Sequence, residues 1–201
     1  MRILRVGESA LLLEWDDAAS VAAWHADLQR RRDRGEFAAT EIVPAARTVL
    51  LDGLADPDAV AALVSGLPEP PPVTDESGPL VEVPTIYDGP DLAEVAALWG
   101  VDEAEVVARH TGTEFRVAFC GFAPGFGYLT GLEVTVPRRV EPRPVVPAGS
   151  VGLAGPYSGI YPSDAPGGWQ LIGRTDLVMF DPHRDPPALL RPGTRVRFVA
   201  R

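Results

Sequence analysis

The sequence predicts an α+β protein of two domains: a small two-layer α/β domain at 1–78, then a compact domain of short strands at 79–201. Three observations support this. The first 67 residues alternate two pairs of strand-like runs with two helix-like runs. The proline-rich, acidic segment Pro68–Pro79 then breaks the pattern, as a semi-stiff linker would. Residues 115–201 finally hold 12 Gly and 12 Pro between short apolar runs, which is typical of a β-barrel or β-sandwich.

Local signals define each element of the first domain. Val21, Trp24 and Leu28 recur at helical spacing, which predicts a helix. Asp56 followed by Pro57 is the N-cap and first-turn pair of a second helix. The strand–strand–helix order occurs twice, and this favours a two-layer sandwich. The predicted strands are Ile3–Val6, Ala10–Trp15, Glu41–Pro44 and Arg47–Leu51, and the predicted helices are Ala18–Arg34 and Asp56–Leu67.

The second domain is predicted to begin with one strand and two helices. Asp91 and Asp102 are the predicted N-caps of the helices, Gly100 ends the first helix and Gly112 follows the second. Short apolar runs between glycines and prolines then predict a series of strands. These elements are strand Leu80–Ile86, helices Asp91–Trp99 and Asp102–His110, and strands Arg116–Phe119, Val134–Val136, Val151–Ala154, Trp169–Gly173, Leu177–Phe180 and Arg195–Val199.

Composition and charge exclude several classes of function. The net charge is -10, and residues 1–114 carry 8 Arg against 22 acidic residues, which argues against nucleic acid or an anionic membrane as a partner. The sequence contains no Lys, so Schiff-base chemistry and a Walker-A lysine are excluded. The single cysteine, Cys120, can form neither an internal disulfide nor a Cys-based zinc site, and no His, Asp or Glu spacing indicates a metal. We find no signal peptide and no apolar membrane span, and therefore expect a cytoplasmic protein.

Residue types with binding chemistry concentrate in segments 119–129, 138–152 and 155–175. Arg138, Arg139 and Arg143, held by prolines, form either an anion clamp or a basic surface loop. Gln170 can donate and accept hydrogen bonds, which suits an amide or lactam. His110 precedes these loops and is the candidate acid–base group; the alternative is a helix C-cap. Ser150 lacks the context of a nucleophile and is interpreted as a turn residue or a ligand-binding donor.

Together, the three segments resemble a known family. The runs FCGFAPGFGYL, PRRxxPRxxVPAGSVGLAG and GIYPxxxPGGWQLIGRT are similar to the B component of prokaryotic 5-oxoprolinase, also described as allophanate hydrolase subunit 1. The resemblance implies a cyclophilin-like β-barrel as the second domain. It also implies an active site shared with a partner chain, the C component, in which 5-oxoproline is activated with ATP and Mg. A third chain, the A component, then completes its hydrolysis to L-glutamate. No cofactor is expected on the lone chain.

The resemblance implies that the loops Gly121–Tyr128, Pro147–Ser150 and Gly159–Gln170 line the shared site, and the residue chemistry described above adds His110 and the three arginines. The catalytic candidates are His110, Arg143 and Gln170. The substrate-binding candidates are Gly121, Phe122, Pro124, Gly125, Tyr128, Arg138, Arg139, Pro147, Ala148, Ser150, Gly159, Tyr161, Gly168 and Trp169. In this hypothesis Gln170 and backbone N–H groups hold the lactam, while an arginine neutralises a carboxylate or phosphoryl group.

The chain departs from the family pattern at two places, and three other functions stay open. The family often has Gln-Thr-Gly where this chain has Tyr157-Ser158-Gly159, and Ser where it has Ala165, and either difference could shift the substrate. The alternatives are an inhibitor that binds a histidine kinase, a carboxyltransferase subunit of a urea carboxylase or allophanate hydrolase-like system, and a prolyl isomerase. Fold likeness alone does not favour the last.

Overall fold

A computed structural model describes residues 1–73 and 78–201. Two compact units are present, Met1–Glu76 and Ser77–Arg201, which we call unit 1 and unit 2. Residues 74–77, within the predicted linker, lie outside the described residues, so the domain boundary between residues 78 and 79 stays a prediction. None of the helices in the described ranges is both long enough and apolar enough to cross a membrane.

Unit 1 is the predicted two-layer sandwich. Its four-stranded antiparallel sheet has the order β1-β2-β4-β3, with helices packed against it. Alternate residues of the strands, among them Leu11, Leu13 and Val49, are buried against Trp24 and Leu28 of the first helix. The elements, all of which the sequence predicted to within two residues, are β1 (Arg2–Val6), β2 (Ala10–Glu14), α1 (Ala18–Asp33), β3 (Glu41–Pro44), β4 (Thr48–Asp52) and α2 (Pro57–Ser65).

Unit 2 is a nearly closed barrel of seven strands in the order β12-β9-β10-β7-β6-β13-β5, accompanied by the two-stranded ribbon β11-β8. Every pairing in the barrel is antiparallel except that of β5 with β13. The elements are β5 (Leu80–Thr85), α3 (Leu92–Trp99), α4 (Glu103–Gly112), β6 (Glu114–Cys120), β7 (Gly127–Thr130), β8 (Arg143–Val146), β9 (Ser150–Ala154), β10 (Tyr157–Ile160), β11 (Ala165–Gly167), β12 (Gln170–Arg174) and β13 (Arg195–Ala200). The predicted α+β class with a barrel-like second domain is confirmed.

The barrel closes along a seam between β12 and the segment that follows β5. Ile86 and Arg174 exchange two backbone hydrogen bonds of 2.9 Å. Gly89 continues the seam by donating to the carbonyl of Ile172 at 3.2 Å. A Cβ on Gly89 would lie 2.3 Å from the carbonyl oxygen of Leu171, so only glycine allows the two backbones to approach this closely.

Several local predictions for unit 2 are confirmed and others are wrong. Asp102 caps α4 by accepting a hydrogen bond from the N–H of Glu105 at 2.8 Å, and Gly100 ends α3 with φ at +67°. Asp91 precedes α3 but makes no side-chain cap, because its carboxylate binds other groups. Runs 134–136 and 177–180 form only isolated bridges at Val136 and Phe180, while β7, β8, β10 and β11 were not predicted.

Candidate functional site

A cleft of about 240 Å³ opens in unit 2 where the three motif segments meet. It brings together six of the predicted site residues, and four further residues complete its wall. The predicted residues are Phe122, Tyr128, Arg138, Tyr161, Gly168 and Trp169, and the additional ones are Phe126, Pro142, Pro166 and Gly167. The cleft is therefore largely aromatic, with one arginine at its wall.

The aromatic wall is organised around Phe126. Its ring meets those of Tyr128, Tyr161 and Trp169 in edge-to-face geometry, with centroids 5.0, 5.4 and 5.3 Å away. Such arrangements are favoured because the positive edge of one ring faces the negative face of the other. Gly159 makes room for this packing, since a Cβ there would lie 3.0 Å from Phe126 Cζ. Gly159 thus shapes the wall without lining the cleft.

The loop that carries Phe122 holds an exposed aromatic ring over the cleft. Phe122 has a φ of +68°, a left-handed conformation that a bulky residue rarely adopts, and it is 59% exposed. Gly125, with φ at +86°, brings the turn against Phe180. Gly121 and Pro124 belong to this turn and do not line the cleft. Strained, exposed residues of this kind concentrate at functional sites, which supports a binding role for this loop.

The three predicted arginines differ in their ion pairing. Asp91 accepts hydrogen bonds from Arg139 at 2.9 Å and from Arg143 at 2.6 Å, and Glu94 lies 3.7 Å from Arg139, so both arginines are ion-paired. Arg138 lines the cleft, and no carboxylate within residues 1–73 and 78–201 pairs with it. Burial raises the pKa of the Tyr161 phenol, and the nearby charge of Arg138 opposes that rise. Of the three predicted arginines, Arg138 is therefore the one that lines this cleft without a carboxylate partner among the described residues, while Arg143 pairs with Asp91.

Gln170 lies behind the cleft. Its side chain is 1% exposed, and its Nε2 is 3.4 Å from both a Glu94 carboxylate oxygen and the Pro137 carbonyl. Its Oε1 is buried without a hydrogen-bond partner among the described residues. Trp169 lines the cleft just before β12 begins, whereas Gln170, the first residue of β12, is almost fully buried and does not line the cleft. The predicted direct contact of Gln170 with a lactam does not fit this position.

His110 lies in the barrel core. It is completely buried, with its Nδ1 2.7 Å from the Tyr87 hydroxyl and its Nε2 2.9 Å from the Ser158 hydroxyl. The centroid of its ring lies 4.2 Å from the ring centroid of Phe198. Burial lowers the pKa of His110 to about 3, because charging the ring there removes it from water. The predicted acid–base role does not fit this position, and Ser158, one of the departures from the family pattern, is a partner of this histidine.

The segment 147–150 forms a turn that supports Tyr161. Gly149 donates to the Tyr161 carbonyl at 2.8 Å, and Ala148 donates to the Asp164 carboxylate at 2.9 Å. Pro147 and Ala148 are exposed and Ser150 is buried, but none of the three lines the cleft. Their effect on the cleft is therefore indirect, through the position of Tyr161.

Asp91 is the main residue of this region that the sequence analysis missed. Its position before an apolar helical run indicates an N-cap, and nothing in the local pattern points to arginines 48 and 52 residues further along the chain. Phe126 and Gly167 were also missed, although both lie inside the motif segments 119–129 and 155–175. Their glycine-rich and aromatic surroundings were the available signal.

We expect Gly167→Ala to displace Tyr161 and reshape the cleft. An added Cβ would lie 2.2 Å from the Tyr161 hydroxyl oxygen, and Tyr161 is only 1% exposed, so its ring cannot move freely. Overpacking of this kind lowers the free energy of unfolding by about 1–3 kcal/mol. Urea denaturation and near-ultraviolet circular dichroism would measure it. Gly168→Ala is the matched control, since its nearest new contact is 3.6 Å, and equal losses in the two variants would contradict the expectation.

Comparison with known proteins agrees with this architecture. The family model described as "Carboxyltransferase domain, subdomain C and D" matches residues 1–190, so the fold is that of a carboxyltransferase domain. The B component of 5-oxoprolinase from Escherichia coli O157:H7 is 44% identical over 98% of this chain and 95% of its own length. The chain belongs to the family of 5-oxoprolinase B components.

Two solved structures extend the comparison. The crystal structure of TTHA0988 is 34% identical over 96% of this chain with a TM-score of 0.80. This chain spans only 40% of that protein. The Kluyveromyces lactis urea carboxylase superposes over 99% of this chain with a TM-score of 0.73 at 19% identity, covering 21% of that enzyme. The second likeness shows a shared fold alone.

Proposed function

We propose that this chain is the B component of an ATP-dependent 5-oxoprolinase, acting in the cytoplasm with a C component and an A component. The observation that carries the proposal is the near full-length identity of 44% to a protein named as the B component of 5-oxoprolinase. The cleft supports it, because 5-oxoproline is a small flat ring with a single carboxylate. Aromatic walls suit the ring, and Arg138, which pairs with no carboxylate among the described residues, suits the carboxylate.

In this proposal the residues of unit 2 bind and orient the lactam. Trp169, Tyr128 and Phe126 provide an apolar wall, and the exposed Phe122 ring covers one side. Arg138 binds the carboxylate, which fixes the direction of the ring and turns its amide carbonyl outward. An open cleft of this size leaves the carbonyl accessible to groups from the C component, so the chain supplies half of a shared site and is inactive alone.

The described residues of this chain form no site suited to ATP and Mg. The sequence has no lysine, and no group of three His, Cys, Asp or Glu residues within 1–73 and 78–201 converges as a metal site. The glycine-rich turn at Gly125 is followed by β7 and not by a helix whose N-terminus could bind phosphates. We therefore propose that the nucleotide is held by another component of the complex.

The proposal is tested by co-expressing the chain with its C and A components and measuring 5-oxoproline-dependent ATP hydrolysis and glutamate formation. We expect turnover only in the complex. Arg138→Ala should raise KM for 5-oxoproline about 10- to 100-fold, since a hydrogen-bonded ion pair contributes about 1.5–3 kcal/mol. Arg109→Ala removes an exposed arginine of α4 and is the matched control. Equal kinetics of Arg138→Ala and Arg109→Ala would contradict the binding role of Arg138.

A carboxyltransferase is the second candidate, because the matching family model is described by that activity. A stable complex that hydrolyses no 5-oxoproline would favour it. Transfer of a carboxyl group to urea, measured in the same complex with a biotin carrier, would then distinguish the two functions.

A further inference from the structure

Asp91 lies at the barrel seam, directly before α3, and contacts the segment that carries Arg139 and Arg143. One carboxylate oxygen accepts hydrogen bonds from Arg139 at 2.9 Å and from Arg143 at 2.6 Å. The other accepts from the N–H of Leu171 at 2.6 Å, while the N–H of Asp91 donates to the Leu171 carbonyl at 3.0 Å. The side chain of Asp91 is 3% exposed. A buried carboxylate with this many donors is fixed in place.

The two arginines that Asp91 binds lie against the wall of the cleft. The backbone N–H of Arg139 donates to the Gly168 carbonyl at 2.8 Å. The side-chain Nη1 of Arg143 lies 3.5 Å from the Trp169 carbonyl. Glu94 adds a second carboxylate 3.7 Å from Arg139. Two cations are thus close to the cleft, but Asp91 and Glu94 balance both of their charges.

From this charge balance we infer that Asp91 is a positioning residue that sets the charge selectivity of the cleft. By holding Arg139 and Arg143, it leaves Arg138 as the single unpaired cation among the described cleft residues, so the cleft accepts a monoanion in preference to a dianion. The inference rests on the proposed function only where the monoanion is identified as 5-oxoproline. The preference for a monoanion over a dianion depends only on residues of this chain.

The inference is tested on the full chain by nuclear magnetic resonance, following the indole N–H signal of Trp169. Trp169→Phe identifies that signal among the four tryptophans. The probes are acetate, a monoanion, and inorganic phosphate, which is mainly a dianion at about pH 8. We expect the wild-type chain to bind acetate more tightly than phosphate. In Asp91→Asn, the ratio of phosphate to acetate affinity should rise about 10-fold or more, because Arg143 loses its carboxylate partner and Arg139 keeps only Glu94.

Three further variants separate selectivity from folding. Asp88→Asn removes the same charge from the seam, where Asp88 pairs with Arg174 at 3.0 Å, and should leave the ratio unchanged. Asp91→Glu keeps the charge and should retain the wild-type preference. Glu94→Gln, at a side chain that is 55% exposed, should fold and shift the ratio in the same direction by a smaller factor, even if Asp91→Asn does not fold.

The outcomes are distinct. A ratio that is unchanged in both Asp91→Asn and Glu94→Gln, or that changes equally in Asp88→Asn, would overturn the inference. So would a wild-type chain in which neither probe moves the Trp169 signal. If the ratio shifts as expected but the complex does not hydrolyse 5-oxoproline, the proposed function fails while the inference stands. If the complex hydrolyses 5-oxoproline normally but the ratio of phosphate to acetate affinity does not change, the inference fails while the proposed function stands.

Discussion

Replacing Gly89 by alanine is expected to lower the free energy of unfolding of unit 2 by about 3 kcal/mol or more, because a side chain cannot fit into the barrel seam. The new Cβ would lie 2.3 Å from the Leu171 oxygen, 2.4 Å from the Ile172 carbon and 2.5 Å from the Gly173 nitrogen. All three are backbone atoms of β12. They can withdraw only if the hydrogen bond from Gly89 to Ile172 breaks and the barrel opens.

Urea denaturation would measure this loss, and Gly112→Ala supplies the control. Gly112 ends α4 and has no atom within 4 Å of its added Cβ, so alanine there should be neutral or slightly stabilising. Should Gly89→Ala be as stable as Gly112→Ala, the close approach of the two backbones at the seam would be disproved.

Acidification is expected to destabilise the chain through His110. Burial lowers its pKa from 6.5 to about 3 in the folded protein, so between these values the unfolded chain binds a proton that the folded chain does not. The free energy of unfolding is therefore highest above the unfolded pKa of 6.5 and decreases as the pH falls toward the folded pKa of about 3. Between pH 7 and about pH 5 the loss amounts to about 2 kcal/mol, before most carboxylates titrate.

His110→Gln should remove most of this pH dependence, although it also weakens the core at pH 7. Denaturation with urea at both pH values would show it. His25→Gln must be measured alongside, because burial, with a smaller effect of Arg32, lowers the pKa of His25 as well. His183→Gln replaces an exposed histidine and serves as the control. An undiminished loss of stability in His110→Gln would show that this group is not the cause.

The sequence predicted the elements whose signals are local. In unit 1, Asp56 caps α2 by accepting from the N–H of Ala59 at 3.0 Å, as its position before Pro57 indicates. The strands of unit 2 were harder to predict, because β7, β10 and β11 are only three or four residues long and each contains a glycine. Their extended conformation depends on pairing with distant strands, which no local pattern records.

The candidate site likewise combines local signals with long-range contacts. The three motif segments meet at the cleft, as their density of glycine, arginine and aromatic residues suggested. The roles within them were decided by long-range contacts. His110 is buried by Phe115 and Phe198, and Asp91 reaches arginines from another part of the chain. Burial and ion pairing of this kind become visible only once the barrel is assembled.

The parallel pairing of β5 with β13 has a consequence for how unit 2 folds. Leu80 pairs with Arg195 and Thr85 with Ala200, so the first and last strands of the barrel are neighbours. The ribosome must therefore synthesise the chain to residue 200 before this ladder can form. Topologies dominated by such distant contacts fold slowly, because the chain loses the entropy of loop closure before the stabilising contacts form. During that interval β6 lacks one of its two neighbours, and unpaired strand edges of this kind favour aggregation.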